Sequence, residues 1–156
     1  MRQRSDGSAG RSLAPVNGPL PDARQRLAAA RVARLATVRP GGGPHVVPVT
    51  FAVDGERIVT AVDHKPKSGA ALQRLRNLAA HPAASVVADH YDDQDWSLLW
   101  WVRADGPAAV VHGGDRHRRA VDLLAAKYPQ YRAQPPSGPV VLVTVERWSS
   151  WAWAAV

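Results

Sequence analysis

Alternation of apolar and polar residues marks the first half of the chain. Val32-Ala33-Arg34-Leu35-Ala36-Thr37-Val38 reads as a strand, and Arg39-Pro40-Gly41-Gly42-Gly43-Pro44 behind it can only turn. His45 to Val53 is a second strand, with Val47, Val49 and Phe51 on one face. Asp54-Gly55 is a tight hairpin signal, and Arg57 to Val62 is a third strand. Three strands joined by short turns make an antiparallel meander rather than a β-α-β unit.

The period then lengthens. Leu72, Leu75 and Leu78/Ala79 recur at helical spacing over 69–80, leaving Arg74, Arg76 and Asn77 outside the apolar stripe. His81-Pro82 ends that helix. Ser85 to Tyr91 is a fourth strand. Trp96 to Val111 holds a long fifth one, with a bend or bulge at Asp105-Gly106-Pro107. Asp115 caps a helix running to Lys127, and Val140 to Val156 is the last strand. A short helix over 21–31 precedes the meander. The expected fold is mainly β: six antiparallel strands with few helices, closed as a barrel so that no edge stays free.

Composition divides the chain unevenly. Residues 1–18 are rich in Gly, Ser, Pro and Arg without periodicity, and are expected to form a disordered basic tail before a single domain over 19–156. Residues 1–39 hold eight Arg against two Asp, whereas 40–156 hold twelve Lys/Arg against eleven Asp/Glu. The domain is therefore nearly neutral, which argues against a nucleic-acid partner, since such a surface carries a basic stripe. There is no cysteine, hence no disulfide, thiolate zinc site or cysteine nucleophile. No apolar run could span a bilayer and no secretory leader opens the chain, so a cytoplasmic protein without a membrane partner is expected.

Little in the sequence suggests catalysis by side chains. The six histidines form no H-x-x-x-H pair, and Asp92, Asp93 and Asp95 lack the glycine and closing glutamate of a calcium loop, so no metal site is assigned. No G-x-S-x-G elbow, Walker loop or GxGxxG occurs, and no catalytic residue is assigned. The positive signal is Val62-Asp63-His64-Lys65-Pro66-Lys67-Ser68. It puts two cations at the mouth of a helix, where free N–H groups favour phosphate. The plainer alternative is a solvated polar loop. Six tryptophans are many for this length. Trp100 and Trp101 point to opposite faces of a strand, so one of them covers a planar ligand or packs on a second subunit, and Trp100 is the candidate. An enzyme so built would take its chemistry from a bound cofactor.

The run from Ala33 to Val111 resembles the pyridoxamine 5'-phosphate oxidase-like split-barrel flavoproteins. The resemblance rests on ARLATVRPGGGPHVVPVTFAVDGERIVTAVD, KPKS, LQRLRNLAAHPAASVVAD and WSLLWWVRADGPA. It implies a six-stranded split barrel in which Val47, Pro48, Val49 and Thr50 lie along a flavin-type ring. Val62, Asp63, His64, Lys65, Lys67 and Ser68 then form the phosphate loop, with Trp100 near the ring. DHKPK and DWSLLWWVR are similar to the branch that uses the deazaflavin coenzyme F420. That branch implies hydride transfer between reduced deazaflavin and a small conjugated substrate, in a homodimer with cofactor sites at its interface. The alternatives are an FMN-dependent oxidoreductase or a non-catalytic flavin-, F420- or haem-binding protein. Without the oxidases' C-terminal extension, vitamin B6 oxidase activity is not expected.

Overall fold

The computed structural model describes residues 20–62 and 70–153, with backbone alone at 70–72. The basic segment 1–18 and the loop residues Asp63, His64, Lys65, Lys67 and Ser68 lie outside the described residues. In chain order the elements are α1 (Ala23–Ala29), β1 (Ala33–Val38), β2 (Pro44–Val49), β3 (Ala52–Asp54) and β4 (Arg57–Ala61). Then come α2 (Ala70–Ala80), β5 (Ala83–His90), a 3-10 turn (Trp96–Leu98) and β6 (Trp100–Val111). The chain closes with α3 (Gly114–Lys127), α4 (Pro129–Ala133), β7 (Val140–Thr144) and β8 (Arg147–Ala152).

All pairings are antiparallel, along the path β2-β1-β5-β6-β7-β4-β3 with β8 beside β6. The described residues thus form eight strands where six were expected. Two predicted strands change partner midway. The stretch His45–Val53 pairs with β1 as β2, turns a corner at Thr50-Phe51, and pairs with β4 as β3. The last strand pairs with β4 and the end of β6 as β7, then continues as β8 along the first half of β6. At that second corner Val145 N–H donates to the Glu56 carbonyl and Glu146 N–H to the Asp105 carbonyl, so neither amide is orphaned.

β2 and β3 are the two ends of the sheet path, yet only two residues separate them in the chain. The sheet therefore curls back on itself, but no hydrogen-bonded ladder closes it, and the barrel is split along this seam. Full closure, as expected from edge avoidance, does not occur. β6 runs unbroken along β5 from Trp100 to Pro107, without the predicted bulge on that side. Gly106 lies where β8 hands over to β7: a Cβ there would overlap the Thr144 carbonyl oxygen.

Two cores follow from this curl. The main one lies inside the sheet and gathers Leu27, Leu35, Phe51, Ile58, Val86, Val102 and Val143. Burying each such side chain contributes about 1.5–3 kcal/mol. The second lies between β3, β4, β7 and α3, with Val59, Leu124, Val140 and Leu142. β4 and β7 are consequently buried on both faces, while β1 alternates buried and exposed.

Two local expectations need correction. α3 begins after Gly113, with Gly114 at φ +83°, so Asp115 is in the first turn and pairs with Arg118 rather than capping. Arg74 and Asn77, expected outside the apolar stripe of α2, are both buried. Asn77 Nδ2 donates to Thr37 Oγ1 at 2.9 Å, and its Oδ1 accepts from Gln73 Nε2 at 2.7 Å. A polar seam thus docks α2 on β1, because a satisfied buried amide costs little.

Candidate cofactor cleft

The corner between β2 and β3 exists because Tyr128 holds it. Phe51 cannot pair while the chain changes sheets, so its N–H donates to the Tyr128 hydroxyl at 3.1 Å. That hydroxyl lies 2.9 Å from both the Phe51 and Arg31 carbonyls and donates to one of them at a time. Burial raises the Tyr128 pKa, although the Phe51 backbone bond and Arg31 oppose the shift. Lys127, one residue earlier, donates to the Ala30 carbonyl at 2.7 Å and stands 3.9 Å from the Phe51 ring centre. Burial, helped by the Arg31 charge, pushes its ammonium down to about 8.

Beside this corner a cleft of about 180 Å³ opens between Pro48, Val49, Thr50, Thr60, Arg74 and Tyr131, with Val32 and Ala61 completing its wall. Tyr131, on α4, packs edge-on against Tyr128 with ring centres 5.7 Å apart. Its hydroxyl is 2.8 Å from Thr50 Oγ1. Thr60 is only 2% exposed, and its hydroxyl has no hydrogen-bond partner among the described residues. Arg74 brings a buried guanidinium from α2 to the cleft wall. It also helps lower the pKa of His45, where burial is the larger cause and Arg39 contributes too. In the sequence, residues 63–69 lie between Val62, the residue after Ala61, and α2, which carries Arg74.

Of the sequence-predicted ring contacts, Pro48, Val49 and Thr50 line the cleft together. Val47 packs against the main core instead. Val62 donates its N–H to the Pro139 carbonyl at 3.0 Å, and Gly138 closes over it. Trp100 is outside the cleft lining of this chain: it packs on the main core, stacks with His90 at 6.3 Å and lies under the Arg26 guanidinium. Among the described residues no cluster of His and acidic side chains could hold a metal ion.

Sequence inspection missed Thr60, Arg74 and Tyr131. Tyr128-Pro129 could have signalled α4, since proline favours the first helical position. Thr60 is the one polar residue inside Ile58-Val59-Thr60-Ala61-Val62. Arg74 has no local signal at all.

A larger groove, of about 740 Å³, lies by Ser85, Arg103, Asp105, Gly106, Glu146 and Arg147. Its polar groups are mostly spent on one another. Ser85 Oγ donates to Asp105 at 2.7 Å, and Arg103 and Arg147 both donate to the other carboxylate oxygen. Burial alone would raise the Asp105 pKa; the bonds from Ser85 and Arg147, with the Arg103 charge, outweigh it and hold it below the ordinary value.

Residues 20–152 match the family model described as pyridoxamine 5'-phosphate oxidase. The chain belongs to that family. Over 86 residues it is 33% identical to a 5a,11a-dehydrotetracycline/5a,11a-dehydrooxytetracycline reductase of Streptomyces rimosus. The match takes in 55% of this chain and 59% of that enzyme. Among solved structures, an FAD-binding protein from Mesorhizobium loti superposes with a TM-score of 0.66 at 19% identity, covering 85% of this chain and 94% of that one. A heme-binding protein from Mycobacterium smegmatis gives 0.63 at 22% identity, covering 84% and 56% respectively. At such identities these two likenesses speak to the fold, which is the split barrel of the family. No helix among the described residues is long and apolar enough to cross a membrane.

Proposed function

We propose that this family member is an oxidoreductase that binds a ring cofactor at the β2–β3 corner, with coenzyme F420 as the cofactor and FMN as the alternative. The observation that carries the proposal is the placement of Pro48, Val49 and Thr50 on one cleft, at the seam of a pyridoxamine 5'-phosphate oxidase-type barrel. The similarity to a dehydrotetracycline reductase supports reduction of a small conjugated organic substrate. The residues present fit such a group: Val32, Pro48, Val49 and Ala61 offer apolar walls for a flat ring, and the Thr60 hydroxyl, without a partner among the described residues, can meet a polar edge.

The bound cofactor would supply the hydride. The protein's part is to bind, orient and exclude water. Pro48 to Thr50 bear on the ring, and Arg74 adds positive charge at the wall. Lys65 and Lys67, with Ser68, are assigned to the cofactor phosphate, because the sequence places them between two elements that flank the cleft. Val62, Asp63 and His64 lead into that loop. At about 180 Å³ the cleft of one chain is below the ~300–1,000 Å³ usual for small-molecule sites. A second copy of the chain would complete it. Val38 and Val46, 40% and 59% exposed on the outer face of β1 and β2, suit that homodimer. Trp100 would then act across the interface.

Titration of the purified protein with FMN and with F420 tests the assignment, read by cofactor fluorescence. Micromolar or tighter binding of F420, weakened at least tenfold in the Lys65→Ala/Lys67→Ala double variant, is expected. Equal binding by the double variant would remove the phosphate assignment. A carrier without turnover is the second reading, favoured by the lack of any carboxylate or histidine among the described cleft-lining residues. Reduced F420 that stays reduced in the presence of enones, quinones and tetracycline-type acceptors would select it.

A further inference from the structure

Tyr131 and Thr50 form a built polar pole in a cleft whose apolar walls are Val32, Pro48, Val49 and Ala61. Their oxygens are 2.8 Å apart, so one hydroxyl donates to the other. A hydroxyl has one proton and two lone pairs. Whichever way the shared proton points, the pair keeps one free donor and at least one free acceptor. Tyr131 cannot swing away cheaply: its ring rests on Tyr128, and Tyr128 is tied to Phe51 and Arg31. Thr60, lining the same cleft, adds a hydroxyl with no partner among the described residues. A buried hydroxyl left unpaired is costly, and a ligand group can relieve that cost.

We propose that the Tyr131–Thr50 hydroxyl pair, backed by Thr60, recognises the cyclic amide or imide edge of a flat heterocycle. The inference rests on the ring-cofactor proposal above and sharpens it. Such an edge carries N–H and C=O side by side, their N and O roughly 2.2 Å apart by standard amide bond lengths. A donor and an acceptor 2.8 Å apart can each meet one of them with a slight splay. The apolar walls at Val32, Pro48 and Ala61 accept the faces of the ring. Flavins and deazaflavins both present this edge. A haem presents carboxylates at its edge and no N–H, so it can use the free donor of the pair but not its acceptor. Tyr131 and Thr50 are positioning residues here, and no proton transfer is assigned to them.

Affinities of FMN, N3-methyl-FMN and F420 for the full chain and for Tyr131→Phe, Thr50→Val and Thr50→Ser test this. N3-methylation removes the imide N–H and should weaken binding to the wild type about tenfold, the worth of one hydrogen bond. Tyr131→Phe and Thr50→Val should each weaken FMN and F420 about tenfold and shrink the methylation effect to less than threefold. Thr50→Ser, which keeps the hydroxyl, should restore both values. Thermal midpoints of the variants within a few degrees of wild type show that the fold is kept. Binding of FMN or F420 to the wild type with unchanged affinity in Tyr131→Phe and Thr50→Val would overturn this inference alone. Failure of both cofactors to bind the wild type would overturn the ring-cofactor proposal with it.

Discussion

The groove beside Asp105 is about four times larger than the cleft beside Thr50, at roughly 740 against 180 Å³. Yet the two concavities have opposite polar economies. In the groove, Ser85, Arg103 and Arg147 converge on one carboxylate and satisfy it. In the cleft, the Thr60 hydroxyl is buried with no partner among the described residues, and the Tyr131–Thr50 pair retains hydrogen-bonding capacity. Stability is served when polar groups find one another, and binding when some wait for a ligand. Size alone would have pointed to the groove and not to the cleft.

The comparison breaks most sharply at Gly106, on the groove. Gly106→Ala sets a Cβ on the Thr144 carbonyl, backbone against backbone, so β6 and β7 must part. A loss of about 3 kcal/mol is expected by urea denaturation, at the upper end for overpacking. A loss below ~1 kcal/mol would show that the strand crossing relaxes easily.

Asp105→Asn comes next, at about 2 kcal/mol near neutral pH, because charge-assisted bonds to two arginines weaken. Its pH dependence has a definite sign. The folded-state pKa of Asp105 is lowered, so its contribution is complete above the unfolded value of about 4 and is lost as pH falls through the folded value. The stability gap between wild type and Asp105→Asn should therefore narrow as pH falls from 5 towards 3. A constant gap would mean that the carboxylate charge contributes nothing.

The smallest effect, and the one of opposite sign, belongs to the cleft. Thr60→Val removes an unsatisfied hydroxyl at nearly constant shape, so stability should stay level or rise by up to ~1 kcal/mol. Cofactor affinity should fall in the same variant. A clear destabilisation would show that the hydroxyl already serves the fold, and would erase the contrast between the two regions.

Much of the architecture was legible along the chain. Alternation located β2, because successive side chains of a strand take opposite faces, and the runs Val32 to Val38, Ser85 to Tyr91 and Trp96 to Val111 located β1, β5 and β6. Leu75 and Leu78 located α2, and Gly55 marked the β3–β4 hairpin. The two corners were not legible. Thr50-Phe51 and Val145-Glu146 sit inside runs that look like uninterrupted strands, and only Tyr128, Glu56 and Asp105 from distant segments supply the backbone partners that permit a change of sheet. The burial of Asn77 was hidden for the same reason: its partner, Thr37, is forty residues away.

What the sequence alone determined is the order of elements apart from α4 and the two strand corners, the mainly β class and the family, together with Pro48, Val49 and Thr50 as candidate ring contacts. These depend on local periodicity, turn chemistry and motif. Only the tertiary structure decided where the barrel splits, that Tyr131 from α4 meets Thr50 from the β2–β3 corner, and that Thr60 and Arg74 join them. Those facts depend on which distant backbone groups satisfy one another when a sheet curls, and a linear pattern carries no record of that.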